Sequence, residues 1–417
     1  MLMPDLKDSL REFNPWWRGE FRLDFRPRSI YQEIQKFFPL RQIIALTGLR
    51  RVGKTTLLEK AALDKISSGF PPSHILYVSF DEFRNIELRE VVRTYEDLLG
   101  VDVREGAFLL LLDEIQKLDN WDDQLKVLYD TAKDIKIVIS GSESLFIRRR
   151  SRETLAGRIF EFKVEPLTFK EFLSFKGIDL KPVGLYEKEL SRHFGEFMKT
   201  LGFPELVGIE DKTIVKKYVR ESLVEKVIYR DLPGLLKVKD IAILESILNI
   251  FMEEPGQLVE ISGLAGELKL SRPTLSNYLM YLEESFLVRK LYNFSTNRRK
   301  TERKLKKFYP AVPSIDLLFR EDPFSQSKAF ECHVVNQLRA EFFWRDPLRH
   351  EVDVVLVGEE TCPVEIKFGK IETRGLEAFL KKFDGKKGVI ISWNQERTIK
   401  ISDKTIEVVP AYKYFLS

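Results

Sequence analysis

The feature that most constrains the fold of this chain is a glycine-containing loop between two predicted secondary-structure elements. Residues 48–56 read GLRRVGKTT and fit the spacing G-x-x-x-x-G-K-[ST]. The mainly apolar residues 42–46 before the loop predict a buried strand, and residues 55–60 after it predict the start of a helix. In a strand–loop–helix of this kind, backbone N–H groups and the helix N-terminus surround phosphate groups. The sequence therefore predicts an α/β fold with a parallel sheet that binds a nucleoside triphosphate.

Each residue type in this loop has an expected contact with the nucleotide. Lys54 is expected to reach the β- and γ-phosphates, where it also assists catalysis, and Thr55 is expected to hold Mg²⁺. ATP and Mg²⁺ are the predicted cofactors. The other predicted nucleotide-binding residues of the loop are Gly48, Arg51, Gly53 and Thr56.

A second apolar stretch ends in two acids. Residues 107–112 predict a central parallel strand, because such strands are buried on both faces and are apolar throughout. Asp113 and Glu114 would then project at the carboxyl end of that strand, where ligands bind in open α/β sheets. We expect Asp113 to hold Mg²⁺ through water and Glu114 to orient and deprotonate the attacking water.

Three further catalytic candidates follow along the chain. Ser140 and Ser142 come at the end of the predicted strand 136–140, and either could contact the γ-phosphate or the water; a plain turn is the alternative. Arg158 precedes the predicted strand 159–164 and is a candidate arginine finger supplied by a neighbouring subunit. The alternative for Arg158 is a surface arginine paired with a carboxylate.

The combination of these motifs resembles a known family. GLRRVGKTT, LLLLDEIQ, ISGSES, LAGR and EPLTFKEF together resemble the archaeal and bacterial AAA-like ATPases that carry a winged helix and a nuclease-like tail. The resemblance implies an ATPase that forms a homo-oligomer, with a hexameric ring as one arrangement, and a nucleotide site at each subunit interface.

Residues 240–291 predict a helix-turn-helix. Two short helical segments precede a third that starts after Ser271, which can cap it, with Pro273 in its first turn. A strand and the basic run 298–307 follow, as in a winged helix. We expect contact mainly with the DNA backbone rather than with a strict base sequence; packing between subunits is the alternative. The predicted DNA-binding residues are Arg272, Thr274 and Asn277 on the helix, and Arg298, Arg299, Lys300, Arg303 and Lys304 in the run.

The C-terminal region predicts a second acidic site. Asp353 and Glu365 lie on adjacent predicted strands, and Lys367 follows on the same face as Glu365. Two carboxylates of this kind could bind Mg²⁺ and activate water, with Glu331 from the preceding helix completing the site. Ion-paired strand residues are the alternative. Asp353, Glu365 and Lys367 match the motif of the PD-(D/E)xK nuclease fold, and this region resembles that fold.

The chain length exceeds that of one ordinary domain, and we expect five segments. These are an N-terminal extension (1–28), a P-loop ATPase core (29–175), a helical lid (176–238), a winged helix with a basic wing (239–312) and a PD-(D/E)xK nuclease-like domain (313–417).

Composition narrows the functional classes. The net charge of +4 is too small to indicate nucleic-acid binding by itself, and Cys332 and Cys362 do not predict a disulfide framework. There is no apolar run of membrane-spanning length and no N-terminal signal pattern, so we expect a cytoplasmic protein with no membrane partner.

The leading functional hypothesis is an oligomeric DNA-binding ATPase that couples hydrolysis to DNA translocation or remodelling. Branched or junction DNA, in recombination or repair, is the substrate we favour. The alternatives are an ATP-gated, Mg²⁺-dependent nuclease and an ATP-driven regulatory switch that acts on a protein partner.

Overall fold

A computed structural model describes residues 5–19, 21–83, 86–141, 154–235, 240–297 and 305–417. The chain divides into two compact units, Met1–Glu165 and Pro166–Ser417. The finer division into five segments stays a prediction. Within the described ranges, no helix combines the length and apolar character needed to cross a membrane.

The first unit is built on a five-stranded parallel sheet, which confirms the predicted α/β class for this part of the chain. The strand order is β2-β3-β4-β1-β5. Strands β1 to β4 are almost wholly buried, as expected for parallel strands covered on both faces. The strands are β1 (Ile43–Thr47), β2 (Ile75–Ser79), β3 (Phe108–Asp113), β4 (Ile135–Gly141) and β5 (Ile159–Lys163).

Strand order and register bring the predicted site residues together. Strand β4 lies between β1 and β3, and Ser140 on β4 is level with Leu46 on β1. The carboxyl ends of β1, β3 and β4 therefore meet at one edge of the sheet. The helices of this unit are α1 (Leu6–Phe13), α2 (Ser29–Gln35), α3 (Lys54–Ser67), α4 (Leu88–Leu99) and α5 (Trp121–Thr131), with 3-10 turns at Pro15–Arg18, Pro72–His74 and Ile115–Lys117.

The N-terminal segment lies along the outer edge of strand β2. The Asn14 side chain donates to the carbonyl of Tyr77 (2.8 Å) and accepts from its N–H (2.7 Å). The indole N–H groups of Trp16 and Trp17 donate to the carbonyl of Ile75 at 3.1 and 2.9 Å. These contacts occupy backbone groups that an edge strand otherwise leaves open to other chains.

The described residues of the second unit form two five-stranded sheets, ordered β10-β9-β7-β8-β6 and β11-β12-β13-β15-β14. The first consists of β6 (Gln257–Val259), β7 (Val288–Asn293), β8 (Lys306–Pro310), β9 (Phe342–Arg345) and β10 (Glu351–Val352). The second consists of β11 (Val354–Val357), β12 (Thr361–Lys367), β13 (Lys387–Ser392), β14 (Arg397–Ile401) and β15 (Lys404–Pro410).

Part of the region predicted to be a helical lid (176–238) departs from regular α-helix. The backbone is π-helical over Tyr218–Val224 and Lys226–Asp231. The α-helices are α6 (Phe169–Phe175), α7 (Glu187–Thr200), α8 (Lys212–Lys217), α9 (Leu232–Leu235), α10 (Ile241–Glu253), α11 (Ile261–Glu267), α12 (Arg272–Glu284), α13 (Ile315–Phe319), α14 (Pro323–Gln337), α15 (Arg374–Lys382) and α16 (Ala411–Tyr414), with 3-10 turns at Val183–Leu185 and Pro204–Leu206.

The helix-turn-helix region, residues 240–291, has its elements in the predicted order. Ser271 caps α12 by accepting from the N–H of Thr274 (3.2 Å), and Pro273 lies in the first turn. The apolar stripe of α12 is buried at Leu275, Leu279 and Leu282. The identification of this region as a winged helix stays a prediction.

Strand β7 joins the helix-turn-helix region to the C-terminal region. It pairs antiparallel with β8 on one side and parallel with β9 on the other, where Tyr292 is level with Phe342. One sheet therefore contains strands from residues 257–310 and from residues 342–352.

Candidate nucleotide site and a second acidic cluster

The loop between β1 and α3 has the backbone conformation that its glycines predict. Gly48, Arg51 and Gly53 have φ values of +143°, +64° and +96°. A Cβ atom on Gly48 would lie 2.2 Å from the carbonyl oxygen of Val164, which follows β5. Only glycine therefore fits at residue 48 without moving the neighbouring backbone.

Lys54 begins α3, and its ammonium group turns back over the loop. The side chain is buried, and Nζ donates to the carbonyl oxygens of Gly48 (3.0 Å) and Leu49 (2.8 Å). A bound phosphate would offer the same donor a charged acceptor, and such hydrogen bonds are stronger than those to neutral carbonyls. Thr56, two residues later in α3, is half-buried.

Asp113 lies at the end of β3 and receives hydrogen bonds from three hydroxyl groups. Thr55 Oγ1 and Tyr77 OH donate to Oδ2 at 2.7 and 3.0 Å, and Ser140 Oγ donates to Oδ1. Burial raises the pKa of Asp113 above its ordinary value, although these donors oppose the shift. The Thr55 hydroxyl and the Asp113 carboxylate are hard oxygen donors in contact, which fits Mg²⁺.

Glu114 follows Asp113 and is held by a neighbour that sequence reasoning missed. Its backbone is left-handed, with φ of +53°, and its N–H donates to Ser140 Oγ at 3.3 Å. Gln116 Nε2 donates to Glu114 Oε2 at 2.6 Å. Ser140 thus contacts both acids, while Ser142 lies outside the described residues.

Arg158 lies at the opposite end of the sheet from the loop of its own chain. It precedes β5, and its carbonyl accepts from the N–H of Ile43 at the start of β1 (2.8 Å). Its guanidinium pairs with Asp130 (Nε–Oδ1 3.2 Å) and lies 5.9 Å from the Tyr129 ring centroid. A finger role for Arg158 therefore requires the nucleotide site of another subunit.

Arg28 supports the loop from outside and was not predicted. It is buried, and its guanidinium donates to the carbonyls of Val52 and Glu165, both at 2.8 Å. No local pattern marks it, because its partners lie 24 and 137 residues away in the chain. Tyr77 was missed for a similar reason: it lies within an apolar strand and only its hydroxyl reaches the site.

The predicted DNA-binding residues of α12 differ in exposure. Arg272 and Asn277 are exposed, whereas Thr274 is half-buried and its hydroxyl lies 2.8 Å from that of the capping Ser271. Of the basic run, Arg298, Arg299, Lys300, Arg303 and Lys304 lie outside the described residues.

Lys307, at the end of the basic run, is an interior residue rather than part of a solvated wing. Its side chain is buried, and Nζ lies 2.5 Å from Glu351 Oε1. The neighbouring carboxylates of Glu331, Asp353 and Glu351 raise its pKa against the opposing effect of burial.

The predicted acidic cluster of the C-terminal region comes together. Asp353 lies between β10 and β11, where it interrupts the predicted strand, and Glu365 and Lys367 lie on β12. Lys367 Nζ is 2.5 Å from Glu365 Oε2 and 3.6 Å from Asp353 Oδ2. Asp353 Oδ2 also accepts the N–H of Ile366 (2.8 Å).

The two acidic side chains of this cluster have pKa shifts in opposite directions. Burial and the adjacent Asp353 raise the pKa of Glu365 to about 8. Burial also disfavours the charged form of Asp353, but Lys367 and Lys307 outweigh it and hold its pKa below the ordinary value. Glu331 is turned toward Tyr309, whose hydroxyl donates to Oε1 at 2.7 Å.

The Mg²⁺ expected at this cluster stays a prediction. Within the part of the chain that the structure describes, no three His, Cys, Asp or Glu side chains are grouped to hold a metal ion. Lys367 Nζ lies close to the carboxyl groups of both Asp353 and Glu365. No cleavage step is derived from this geometry.

Comparison with known proteins finds family matches for two parts of the chain. Residues 40–173 match the family described as an AAA domain, and residues 192–314 match a domain of unknown function (DUF8612). A solved structure of the Aeropyrum pernix Orc1 protein in complex with DNA is 14% identical and covers 72% of this chain and 93% of that chain, with a TM-score of 0.33. At that TM-score the likeness supports no conclusion about function.

Two uncharacterised proteins of Methanocaldococcus jannaschii match over most of their length. MJ1637 is 27% identical over 84% of this chain and 80% of its own. MJ1544 is 30% identical over 94% of this chain and 92% of its own. The chain therefore belongs to the same family as MJ1544, and within it residues 40–173 form a P-loop ATPase module of the AAA type.

Proposed function

We propose that this protein is an oligomeric ATPase that uses ATP hydrolysis to translocate along DNA or to remodel it, with branched and junction DNA among its substrates. The proposal of DNA binding rests on one observation: the N-terminal end of α12 is exposed, and α12 follows two helices in the order typical of a helix-turn-helix. The ATPase part rests on the AAA domain and on the contacts around Asp113.

In this proposal the nucleotide site works through residues at the carboxyl ends of β1, β3 and β4. Lys54 would turn from its loop carbonyls to the β- and γ-phosphates, and Thr55 and Asp113 would hold Mg²⁺. Bound Mg²⁺ would supply charge neutralisation at the phosphates. Glu114, steadied by Gln116, orients the attacking water and accepts its proton.

Ser140 is well placed to act as a sensor, since it contacts both Asp113 and the backbone of Glu114. A change at the γ-phosphate would reach Ser140 through either acid. Arg158 would complete the site of the next subunit, which makes the homo-oligomer a requirement for turnover.

The DNA contact uses the exposed end of α12. Arg272 and Asn277 lie in the first two turns of the helix, the part that faces a groove when a helix-turn-helix binds DNA. The positive charge of Arg272 suits a phosphate or a guanine edge, and the Asn277 amide suits an adenine edge or a phosphate.

ATP turnover, measured without DNA and with duplex, single-stranded and four-way-junction DNA, tests the proposal. We expect stimulation by at least one DNA and loss of turnover in Lys54→Ala. Absence of both binding and stimulation with every DNA would refute the DNA part. DNA cleavage that is lost in Asp353→Ala would instead support the nuclease alternative.

A variant of α12 and a charge-matched control distinguish DNA contact by this helix from a general effect of positive charge. The double variant Arg272→Ala/Asn277→Ala should bind DNA more weakly. The slope of log affinity against log salt is negative, and its magnitude should decrease by about one because one phosphate contact is lost. Arg320→Ala removes the same charge from an exposed residue outside α12 and should leave both quantities unchanged. Weak affinity with no salt slope in the wild type would favour the regulatory switch.

The oligomer is tested separately. Mass photometry with and without a slowly hydrolysed ATP analogue should show assembly beyond the monomer. A protein that stays monomeric while it hydrolyses ATP at full rate would refute the subunit-interface site.

A further inference from the structure

A tyrosine from the outer strand of the sheet contacts the acid that is proposed to hold Mg²⁺. Tyr77 lies on β2, which pairs with β3 so that Ser79 is level with Asp113. The Tyr77 ring is buried, and its hydroxyl lies 3.0 Å from Asp113 Oδ2. That oxygen is the one that also accepts from Thr55, while Ser140 holds the other oxygen.

The carboxylate of Asp113 is therefore fixed at both oxygens. A carboxylate with hydrogen bonds to only one oxygen can rotate about its χ2 angle, whose energy profile is broad. The donors at both Oδ1 and Oδ2 restrict that rotation and direct a lone pair toward Thr55. Preorganised groups of this kind lose less entropy when a ligand binds.

The position of Tyr77 is set in turn by the N-terminal segment. Asn14 is fully buried and makes hydrogen bonds to both backbone groups of Tyr77, at 2.8 and 2.7 Å. Its amide also donates to the carbonyl of Leu10 on α1 (2.7 Å). The Phe13 ring meets the Tyr77 ring edge-on, with centroids 6.1 Å apart.

We infer that Tyr77 is a positioning residue for Asp113, and that the N-terminal segment contributes to Mg²⁺–nucleotide binding through Asn14 and Tyr77. This rests on the proposed role of Asp113. The chain of contacts runs from α1 to the nucleotide site without passing through the loop at 48–53, so it acts on the metal-binding half of the site alone.

Equilibrium binding of a fluorescent ATP analogue to the full-length protein tests this inference. Affinity is measured in excess EDTA and in excess Mg²⁺, and the ratio is the Mg²⁺-dependent gain. Tyr77→Phe keeps the buried ring but removes the hydroxyl. We expect the gain to fall by about tenfold, the loss of one hydrogen bond to a charged acceptor, or about 1.4 kcal/mol. Affinity in EDTA should stay at the wild-type value.

Two further variants give the inference its controls. Asn14→Ala should reduce the Mg²⁺-dependent gain in the same direction as Tyr77→Phe. Trp17→Phe removes a different hydrogen bond to the same strand, at Ile75, and should leave the gain unchanged.

Each other outcome counts against the inference. The inference is overturned if the Mg²⁺-dependent gain of Tyr77→Phe equals that of the wild-type protein. It is also overturned if the variant loses affinity equally in EDTA and in Mg²⁺, because an equal loss indicates general distortion of the site. A wild-type protein with no Mg²⁺-dependent gain would refute the proposed role of Asp113 itself. Thermal unfolding of the nucleotide-free variants checks that they remain folded.

Discussion

Replacement of Gly48 by alanine should damage the nucleotide site through a collision between two backbones. The added Cβ would lie 2.2 Å from the Val164 carbonyl oxygen and 3.2 Å from its carbon. Val164 cannot easily retreat, because its N–H donates to the carbonyl of Thr47 at 2.7 Å and so ties it to β1. One of the two chain segments must move by nearly an ångström.

The free energy of unfolding should fall by about 3 kcal/mol or more. Overpacking of a tight contact costs roughly 1–3 kcal/mol, and a non-glycine residue in an unfavourable backbone region costs roughly 1–3 kcal/mol. Gly69→Ala is the matched control: its φ is +86°, but its Cβ would meet nothing within 4 Å. That variant carries only the backbone cost, about 1 kcal/mol.

Denaturant unfolding of the full-length protein measures both variants. The transition of the first unit is the one whose midpoint rises when an ATP analogue is added, since ligands stabilise the folded state they bind. Gly48→Ala should lower that midpoint well beyond Gly69→Ala and abolish nucleotide binding. Equal midpoints for the two variants would refute the steric reasoning.

Three other predictions concern single side chains. Arg158→Ala should abolish ATP turnover while Asp130→Ala, which breaks the same ion pair, leaves it nearly intact; equal losses in a turnover assay would assign Arg158 a structural role. Glu114→Gln should bind ATP with wild-type affinity but hydrolyse it at least about a hundredfold more slowly, since general-base catalysis contributes about 10²–10⁴-fold; unchanged turnover would contradict the assignment. Burial lowers the pKa of His333 from its ordinary value of 6.5 to about 3. Between pH 6.5 and pH 3, the His333 imidazole is therefore protonated in the unfolded chain but not in the folded protein. Stability should therefore fall between about pH 6.5 and 3, by up to about 1.4 kcal/mol per pH unit, and His333→Leu should flatten that fall in denaturant unfolding at a series of pH values.

The parts of the site that the sequence could predict are those coded within a few residues. The strand–loop–helix around Lys54 and the apolar strand before Asp113 carry their information locally, and both lie where expected. The same holds for the cap of α12 by Ser271, because a capping side chain bonds a backbone N–H three residues away.

The parts that were missed depend on contacts between distant segments. Asn14 and Tyr77 are 63 residues apart, and Arg28 reaches a carbonyl 137 residues away. Lys307 belongs to the basic run 298–307 by sequence, and a run of charges gives no sign that one member turns inward to meet acids from β10 and α14. A buried charge of this kind is determined by tertiary structure, and sequence periodicity does not detect it.

The central position of β7 in its sheet limits how the protein can be dissected into fragments. A fragment that stops at residue 312 keeps β8 but loses β9, so one edge of β7 is left bare. Bare edges recruit strands from other molecules, and such a fragment would tend to aggregate. A fragment intended to isolate the helix-turn-helix region should extend at least through β10, which ends at Val352.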